Sequence, residues 1–520
     1  MSKDKRPDPQ EDNRLSLPHN LAVLPAWGDL GNGYYRNPVL NADVSDPDAI
    51  RVGEDFYMVC SDFHFMGMQV FHSKDLVNWR LIGKVYERLD IDPAYDEMRA
   101  YAKGSWAPAL RYHGGRCYVY FCTPDEGLYM SSAADPAGPW EPLHEVARVS
   151  GWEDPCPFWD EDGQAYLGHS TVGAGPIILH RMSADGRQLL DAGSVIYVGK
   201  IAEGTKIYKR NGYYYFVIPE GGVETGWQTV LRSRSLYGPF ERKVVLRQGA
   251  TAVNGPHQGA LVELEDGETW FLHFQSAGAL GRVCHLQPVR WEEDWPVIGV
   301  HGEPVSVYAK PAVTGSHPPL LPATSDDFTG PELGLQWQWN HNPADRNWSL
   351  TGNGLRLAAQ AAPDLPAARN TLTQKLIGLR GLVSTRMSIG GMRSGQRAGL
   401  AFLCAREENW IGAAAEPDGG VYLRAVTGGT VFHGPKLAGG TLLLGSRIDL
   451  DGETRFFYSL GGDWQPLGGP CRMAAGFWKG ARLALFSYTG GETGGSTDFH
   501  WFHYNVQRGG TQAWKNCSNG

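Results

Sequence analysis

Asp162-Gly163-Gln164-Ala165-Tyr166 reads as a strand end, a tight turn and an aromatic strand, and the same form recurs four more times. The other copies are Val52-Gly53-Glu54-Asp55-Phe56-Tyr57, Gly114-Gly115-Arg116-Cys117-Tyr118, Asn211-Gly212-Tyr213-Tyr214-Tyr215 and Asp266-Gly267-Glu268-Thr269-Trp270. Asp-Gly and Asn-Gly pairs suit the positive φ angles of a two-residue hairpin turn. With Gly53, Gly114, Gly163, Gly212 and Gly267 as markers, the spacings are 61, 49, 49 and 55 residues, the length of a four-stranded unit. A second turn recurs downstream, in Ser73 to Trp79, Ser131 to Trp140 and Ser233 to Phe240, each closing on an aromatic. Helical periodicity is nearly absent. Repeated four-stranded units predict an all-β chain that opens with a five-bladed β-propeller. The competing reading is a large β-sandwich with coincidental turns.

The repeats end near Pro304, and Ala309 to Thr324 is rich in proline, as a linker is. Short alternating strands follow Asp326-Asp327-Phe328 and run to about Val506, the rhythm of an antiparallel β-sandwich. The predicted division is an N-terminal tail (1–33), a propeller (34–308), a linker (309–325), an accessory sandwich (326–508) and a C-terminal tail (509–520).

Composition narrows the partners. Lys plus Arg is 47 and Asp plus Glu is 56, a net charge of −9, so neither nucleic acid nor an anionic membrane is expected. Eighteen Trp and 22 Tyr supply flat apolar faces that suit sugar rings and also fill β cores. The eight cysteines form no CxxC pair, which argues against a zinc cluster and for free thiols in a reducing compartment. Met1 to Pro18 is charged, lacks an apolar core and does not read as a secretory signal. No apolar run approaches the ~20 residues of a membrane helix. The expected location is cytoplasmic.

Three acidic stretches precede their hairpins by similar distances: Asn41 to Ile50, with Asp46-Pro47; Gly151 to Phe158, with Asp154-Pro155; and Ile201 to Tyr208, with Glu203. Each reads as the first strand of a blade, and first strands converge on the propeller axis. Proline fixes φ and removes a donor, so Asp-Pro sets a strand's entry. Any one Asp-Pro is more readily a turn cap than a catalytic residue. Three acids in register point instead to one pocket, and two converging carboxylates are what glycosidic hydrolysis needs. A third would raise the acid's pKa by like-charge repulsion.

At these residues the sequence resembles glycoside hydrolase family 43. The stretches carrying the resemblance are Asn37 to Asp48, Phe71 to Trp79, Gly104-Ser105-Trp106-Ala107-Pro108, Glu203 to Tyr215, Gly281-Arg282 and Trp291 to Val297. Asp327-Phe328 and Gln336 to Trp348 resemble the jelly-roll, concanavalin-like sandwich of that family's β-xylosidase-like branch. The resemblance implies Asp46 as general base, Glu203 as general acid, and Asp154 as the residue that tunes and orients the acid. It implies Phe63 and Trp106 as walls of the sugar pocket and Arg282 as a sugar and carboxylate contact. It places His257 near an axial histidine that in some members helps hold a metal ion or water. The reaction is expected to need no cofactor, with Ca2+ on the axis as an option and His257 as its candidate ligand. Asp48, on the same strand face as Asp46, and Glu220 are further candidate substrate contacts. His341, Asn342 and Trp348 are candidates for the sandwich core or the pocket rim. Thr205-Lys206, where many members have Pro-His, and Pro256-His257-Gln258-Gly259 depart from the family pattern and bear on substrate choice.

The expected function is an exo-acting, inverting hydrolase of α-L-arabinofuranosides or β-D-xylosides, acting on an oligosaccharide or polysaccharide. The alternatives are an endo-arabinanase-type enzyme, a retaining fructosyl hydrolase and a non-catalytic carbohydrate-binding propeller.

Overall fold

Each quoted turn closes a hairpin. Asn211 and Gly212 both have positive φ, as a type I′ turn requires, and join Lys206–Arg210 to Tyr213–Glu220. Gly114 and Gly115 do the same between Trp106–His113 and Arg116–Thr123. The downstream turn is an acid-centred loop. Asp75 Oδ1 accepts from the backbone N–H of Val77 (3.0 Å) and Asn78 (2.7 Å). That seats Trp79, fully buried, with Nε1 donating to Leu76 O at 2.8 Å.

The structure is a computed structural model that describes residues 27–404, 407–449, 452–476, 478–491 and 494–506. The predicted C-terminal tail and most of the predicted N-terminal tail lie outside the described residues, as does Cys517. The other seven cysteines are buried and unbridged. Among the described residues no helix is long and apolar enough to cross a membrane.

The fold is all-β, with a propeller arrangement followed by a concanavalin-like sandwich. Five like blades of four strands were predicted. Four four-stranded sheets are found, formed by the strands within 45–84, 106–147, 152–197 and 206–247. The fifth hairpin, His257–Glu263 with Thr269–Ser276, belongs instead to a seven-stranded sheet. Tyr34–Leu40 extends that sheet by pairing onto Arg282–Glu292, and Trp27–Asp29 pairs in turn with Tyr34–Leu40. The first and last strands of the propeller part thus share one sheet, which covers an edge that would otherwise be free to pair with another molecule. Trp27, expected in the tail, is buried and donates Nε1 to Trp79 O at 3.0 Å.

The proline-rich stretch lies against the first sheet. Lys310 Nζ sits 2.7 Å from both Asp29 and Asp75, and Leu320 N donates to Asn78 Oδ1. Beyond it, two eight-stranded sheets face each other. Backbone bonds join sandwich to propeller: Met66 N to Trp339 O (3.0 Å), and His341 N to His64 O (2.8 Å). Beside them is a buried ionic cluster. Lys479 Nζ is 3.1 Å from Asp43 and 3.7 Å from Asp62, and Lys375 is 3.4 Å from Asp62. Arg482 lies 3.9 Å from Asp62 and over the Phe65 ring. Through this cluster Lys375, Lys479 and Arg482 of the sandwich meet Asp43 and Asp62 of the propeller part.

Candidate active site

In four of the five hairpin units the first strand carries the same irregularity near its start. Register slips occur between Ser45 and Asp48, Trp106 and Ala109, Glu153 and Cys156, and His257 and Gly259. Inside each slip one residue has positive φ: Asp46 (51°), Ala107 (42°), Asp154 (57°) and Gln258 (34°). Such bulges re-aim a side chain, and holding a non-glycine residue there costs of order 1–3 kcal/mol. At the matching place before Lys206–Arg210 stands Gly204, with φ of 63°. A Cβ there would come 2.6 Å from the Pro219 ring, so only glycine fits. Its N–H donates to Asp154 Oδ2 at 2.8 Å.

The bulges open onto a cavity of about 370 Å³ that Asp46, Glu153, Asp154 and Glu203 all line. Arg282 Nη1 donates to Asp46 Oδ1 at 2.9 Å, and Ser61 Oγ to Asp46 Oδ2 at 2.5 Å. Ser61 Oγ also accepts from Ala107 N, and Ser61 O accepts from Lys479 Nζ at 2.8 Å. Asp154 accepts from Ser170 Oγ (2.8 Å), Gly204 N and Gln258 Nε2 (2.7 Å). His257 Nε2 lies 3.0 Å from Glu203 Oε1. Phe63 and Trp106 meet edge to face at 5.8 Å, and Trp106 meets Trp478 at 6.3 Å, which walls one side with aromatic rings.

One oxygen from each of Glu153, Asp154 and Glu203 lies within 4.8 Å of the other two, and Asp46 stands outside that group. The crowding decides where protons reside. Burial and then the Glu203 charge push Asp154 up to about 6. Burial, Asp154 and Glu203 push Glu153 up to about 9. Glu203 was expected to rise for the same reasons. It falls instead, because the hydrogen bond and charge of His257, helped by Arg282, outweigh its burial.

Asp46, Asp154, Glu203, Phe63, Trp106, His257 and Arg282 are therefore brought together. Asp48 is not among the cavity's residues. It is fully buried, accepting from Leu110 N and Arg111 Nη1, with Lys206 at 3.6 Å. Glu220 is equally spoken for: Tyr197, Thr229, Arg242 and Lys200 N converge on it, and it braces the loop before Glu203. His341 and Asn342 are buried between sandwich and propeller, and Trp348 meets Trp339 at a tilt of 51°. The sandwich residue that reaches the cavity is Trp478. Calcium prefers six to eight oxygens. Among the described residues the only trio of side chains spaced to hold an ion is Glu153, Asp154 and Glu203. His257 is not part of that trio; its Nδ1 is buried without a hydrogen-bond partner.

Sequence reasoning passed over Ser61, Ser170, Gln258, Glu153 and Trp478. The serines had a signal: each stands opposite its acid's strand, Ser61 across from Ser45 and Ser170 across from Glu153. A larger cavity, about 570 Å³, opens at the other end of these strands. Its charges pair with each other, as Lys209 does with Asp160 at 2.6 Å and Arg210 with Glu263.

A model of the family described as Glycosyl hydrolases family 43 matches residues 35–296. A model described as Beta xylosidase C-terminal Concanavalin A-like domain matches residues 325–505. The sequence is 52% identical over 476 residues to a putative beta-xylosidase of Xylanibacter ruminicola, covering 89% of this chain and 88% of that one. It is 34% identical over 341 residues to a non-reducing end alpha-L-arabinofuranosidase of Bacteroides ovatus, covering 61% and 63%. The fold superposes on a bifunctional GH43-CE protein of Bacteroides eggerthii with a TM-score of 0.81 and 31% identity, spanning 91% of this chain and 64% of that longer one. A xylan beta-1,4-xylosidase of Bacillus halodurans gives a TM-score of 0.80 at 25% identity, over 90% of this chain and 99% of that one.

Proposed function

The chain belongs to glycosyl hydrolase family 43 and is a glycosidase, and on that premise we propose that it releases terminal arabinofuranose or xylose from hemicellulose- or pectin-derived glycans. The action is exo and inverting. The observation that carries this reading is the convergence of Asp46, Asp154 and Glu203, from three hairpin units, on one aromatic-walled cavity. We also read the seven-stranded sheet as the fifth blade, because its His257 and Gln258 occupy the same bulge as the acids of the other sheets.

In this mechanism Asp46 takes a proton from water as the water oxygen bonds to the anomeric carbon. Glu203 gives a proton to the leaving oxygen as the glycosidic bond breaks. Arg282 and Ser61 fix the Asp46 carboxylate. The two carboxyls shift in opposite directions: burial and the Glu203 charge hold Asp154 up near 6, while the hydrogen bond and charge of His257, with Arg282, outweigh burial and lower Glu203. At the end Asp46 has gained a proton and Glu203 has lost one, and exchange with solvent restores both. Trp478 favours exo action, since a loop of the sandwich narrows the cavity on the Trp106 side.

A panel of 4-nitrophenyl glycosides, with chromatography of arabinoxylan and arabinan digests, tests the reading. The expected result is hydrolysis of the α-L-arabinofuranoside or β-D-xyloside and release of monosaccharide only. Oligosaccharides as the first products would replace exo with endo action.

A further inference from the structure

Glu153 precedes the acid whose role was expected, and nothing in the mechanism above uses it. It is 6% exposed, and its carboxyl lines the cavity. Ala174 N, in the turn after Ala165–Thr171, donates to its Oε1 at 3.2 Å. Among the described residues its other oxygen has no protein partner. A carboxyl so enclosed is normally satisfied by several donors or a cation. Asp154 has three donors and Glu203 has His257, whereas Glu153 has one N–H and an open cavity.

Its wall of the cavity locates the ligand. Glu153 and Glu203 belong to the same 4.8 Å cluster, while Asp46 stands outside it. The acid faces the oxygen that bridges to the leaving group, so its neighbour faces the leaving group too. Val172 and Ile201, on the same cavity lining, are both 45% exposed, so this wall reaches solvent.

On the reading given under the proposed function, we propose that Glu153 is a substrate-binding residue for the leaving-group sugar, hydrogen-bonded through its free oxygen to a hydroxyl of that sugar. Two neighbouring acids and burial favour its neutral form, so the carboxyl O–H donates to the hydroxyl oxygen. The class of ligand recognised is a glycosyl leaving group with a hydroxyl beside the scissile bond. An aryl leaving group offers no such partner.

The test compares 4-nitrophenyl-β-D-xyloside and 4-nitrophenyl-α-L-arabinofuranoside with xylobiose and an arabinose-substituted xylo-oligosaccharide, in wild type, Glu153→Ala and Glu153→Gln. Loss of one hydrogen bond should cut kcat/KM on the oligosaccharides by about tenfold in Glu153→Ala. The aryl glycosides should stay within about twofold. Glu153→Gln, whose amide still donates, should recover most of the oligosaccharide activity. Unchanged oligosaccharide activity in Glu153→Ala overturns the proposal. So does an equal fall on aryl and sugar leaving groups, because a structural or non-leaving-sugar role gives that pattern. Asp46→Asn is run alongside: it should lose both substrate classes, and if it does not, the catalytic reading fails whatever Glu153 does.

Discussion

Asp154→Asn should stabilise the protein at alkaline pH while costing it activity. Asp154 is 4% exposed, and its pKa is raised from 3.8 to about 6 by burial and by Glu203. A carboxyl whose folded pKa lies above its unfolded value destabilises the fold once it ionises. The penalty is absent below the unfolded value, grows as pH rises between the two, and is complete above the folded one. The shift corresponds to about 3 kcal/mol at most, at 1.36 kcal/mol per pH unit, of which about 2 kcal/mol should fall between pH 4 and pH 8. Asparagine resembles the protonated acid in shape and charge and still accepts through its carbonyl. It turns an NH2 toward one of the donors Ser170, Gly204 and Gln258, a cost that does not vary with pH. Urea denaturation of both proteins at pH 4 and pH 8 separates the two effects. The stability difference, variant minus wild type, should be about 2 kcal/mol more favourable at pH 8. In a Glu203→Gln background that pH-dependent part should shrink without vanishing, because burial comes before the Glu203 charge among its causes. A pH-independent difference, or one larger at pH 4, would refute the assignment of a buried, charge-crowded carboxyl.

Glu203→Gln should lose turnover of sugars with poor leaving groups while an aryl glycoside suffers less, since an activated leaving group needs little protonation; steady-state rates on both substrates decide it. His257→Leu removes the group that holds Glu203 down, so the basic limb of kcat/KM against pH should move to higher pH in its residual activity. Lys479→Met breaks a buried pairing with Asp43 and should cost about 3 kcal/mol in denaturation, the low end for such pairs because Lys375 and Arg482 also repel it. The same variant should lower kcat/KM on an aryl glycoside, because Lys479 holds Ser61, which holds Asp46, and neighbours Trp478.

The propeller arrangement was legible because Asn211-Gly212 and Gly114-Gly115 are local chemistry: positive φ is needed where it is found. The seven-stranded sheet was not. Its added strand Tyr34–Leu40 pairs with residues some 250 positions away, and no local signal marks such a partner. Asp46, Asp154 and Glu203 could be placed because each precedes its hairpin by a similar distance and lies in a stretch that carries the family resemblance. Asp48 and Glu220 were misplaced for the converse reason. Sharing a strand face or following a sugar-like motif says nothing of whether Arg111, Lys206 or Arg242 has already taken the carboxylate. The fall of Glu203 was hidden likewise, since His257 meets it only across two sheets. Trp478 comes from a sandwich loop whose position depends on the Lys479 cluster.

The central claim is a single displacement by water activated at Asp46 while Glu203 protonates the leaving oxygen. Proton NMR of the early products from a β-D-xyloside, recorded before mutarotation, tests it most directly. An inverting site requires α-D-xylose as the first sugar to appear, converting later to the anomeric mixture. β-D-xylose as the first product would mean a covalent intermediate and a nucleophile close to the acid, and would contradict the roles given to Asp46 and Glu203.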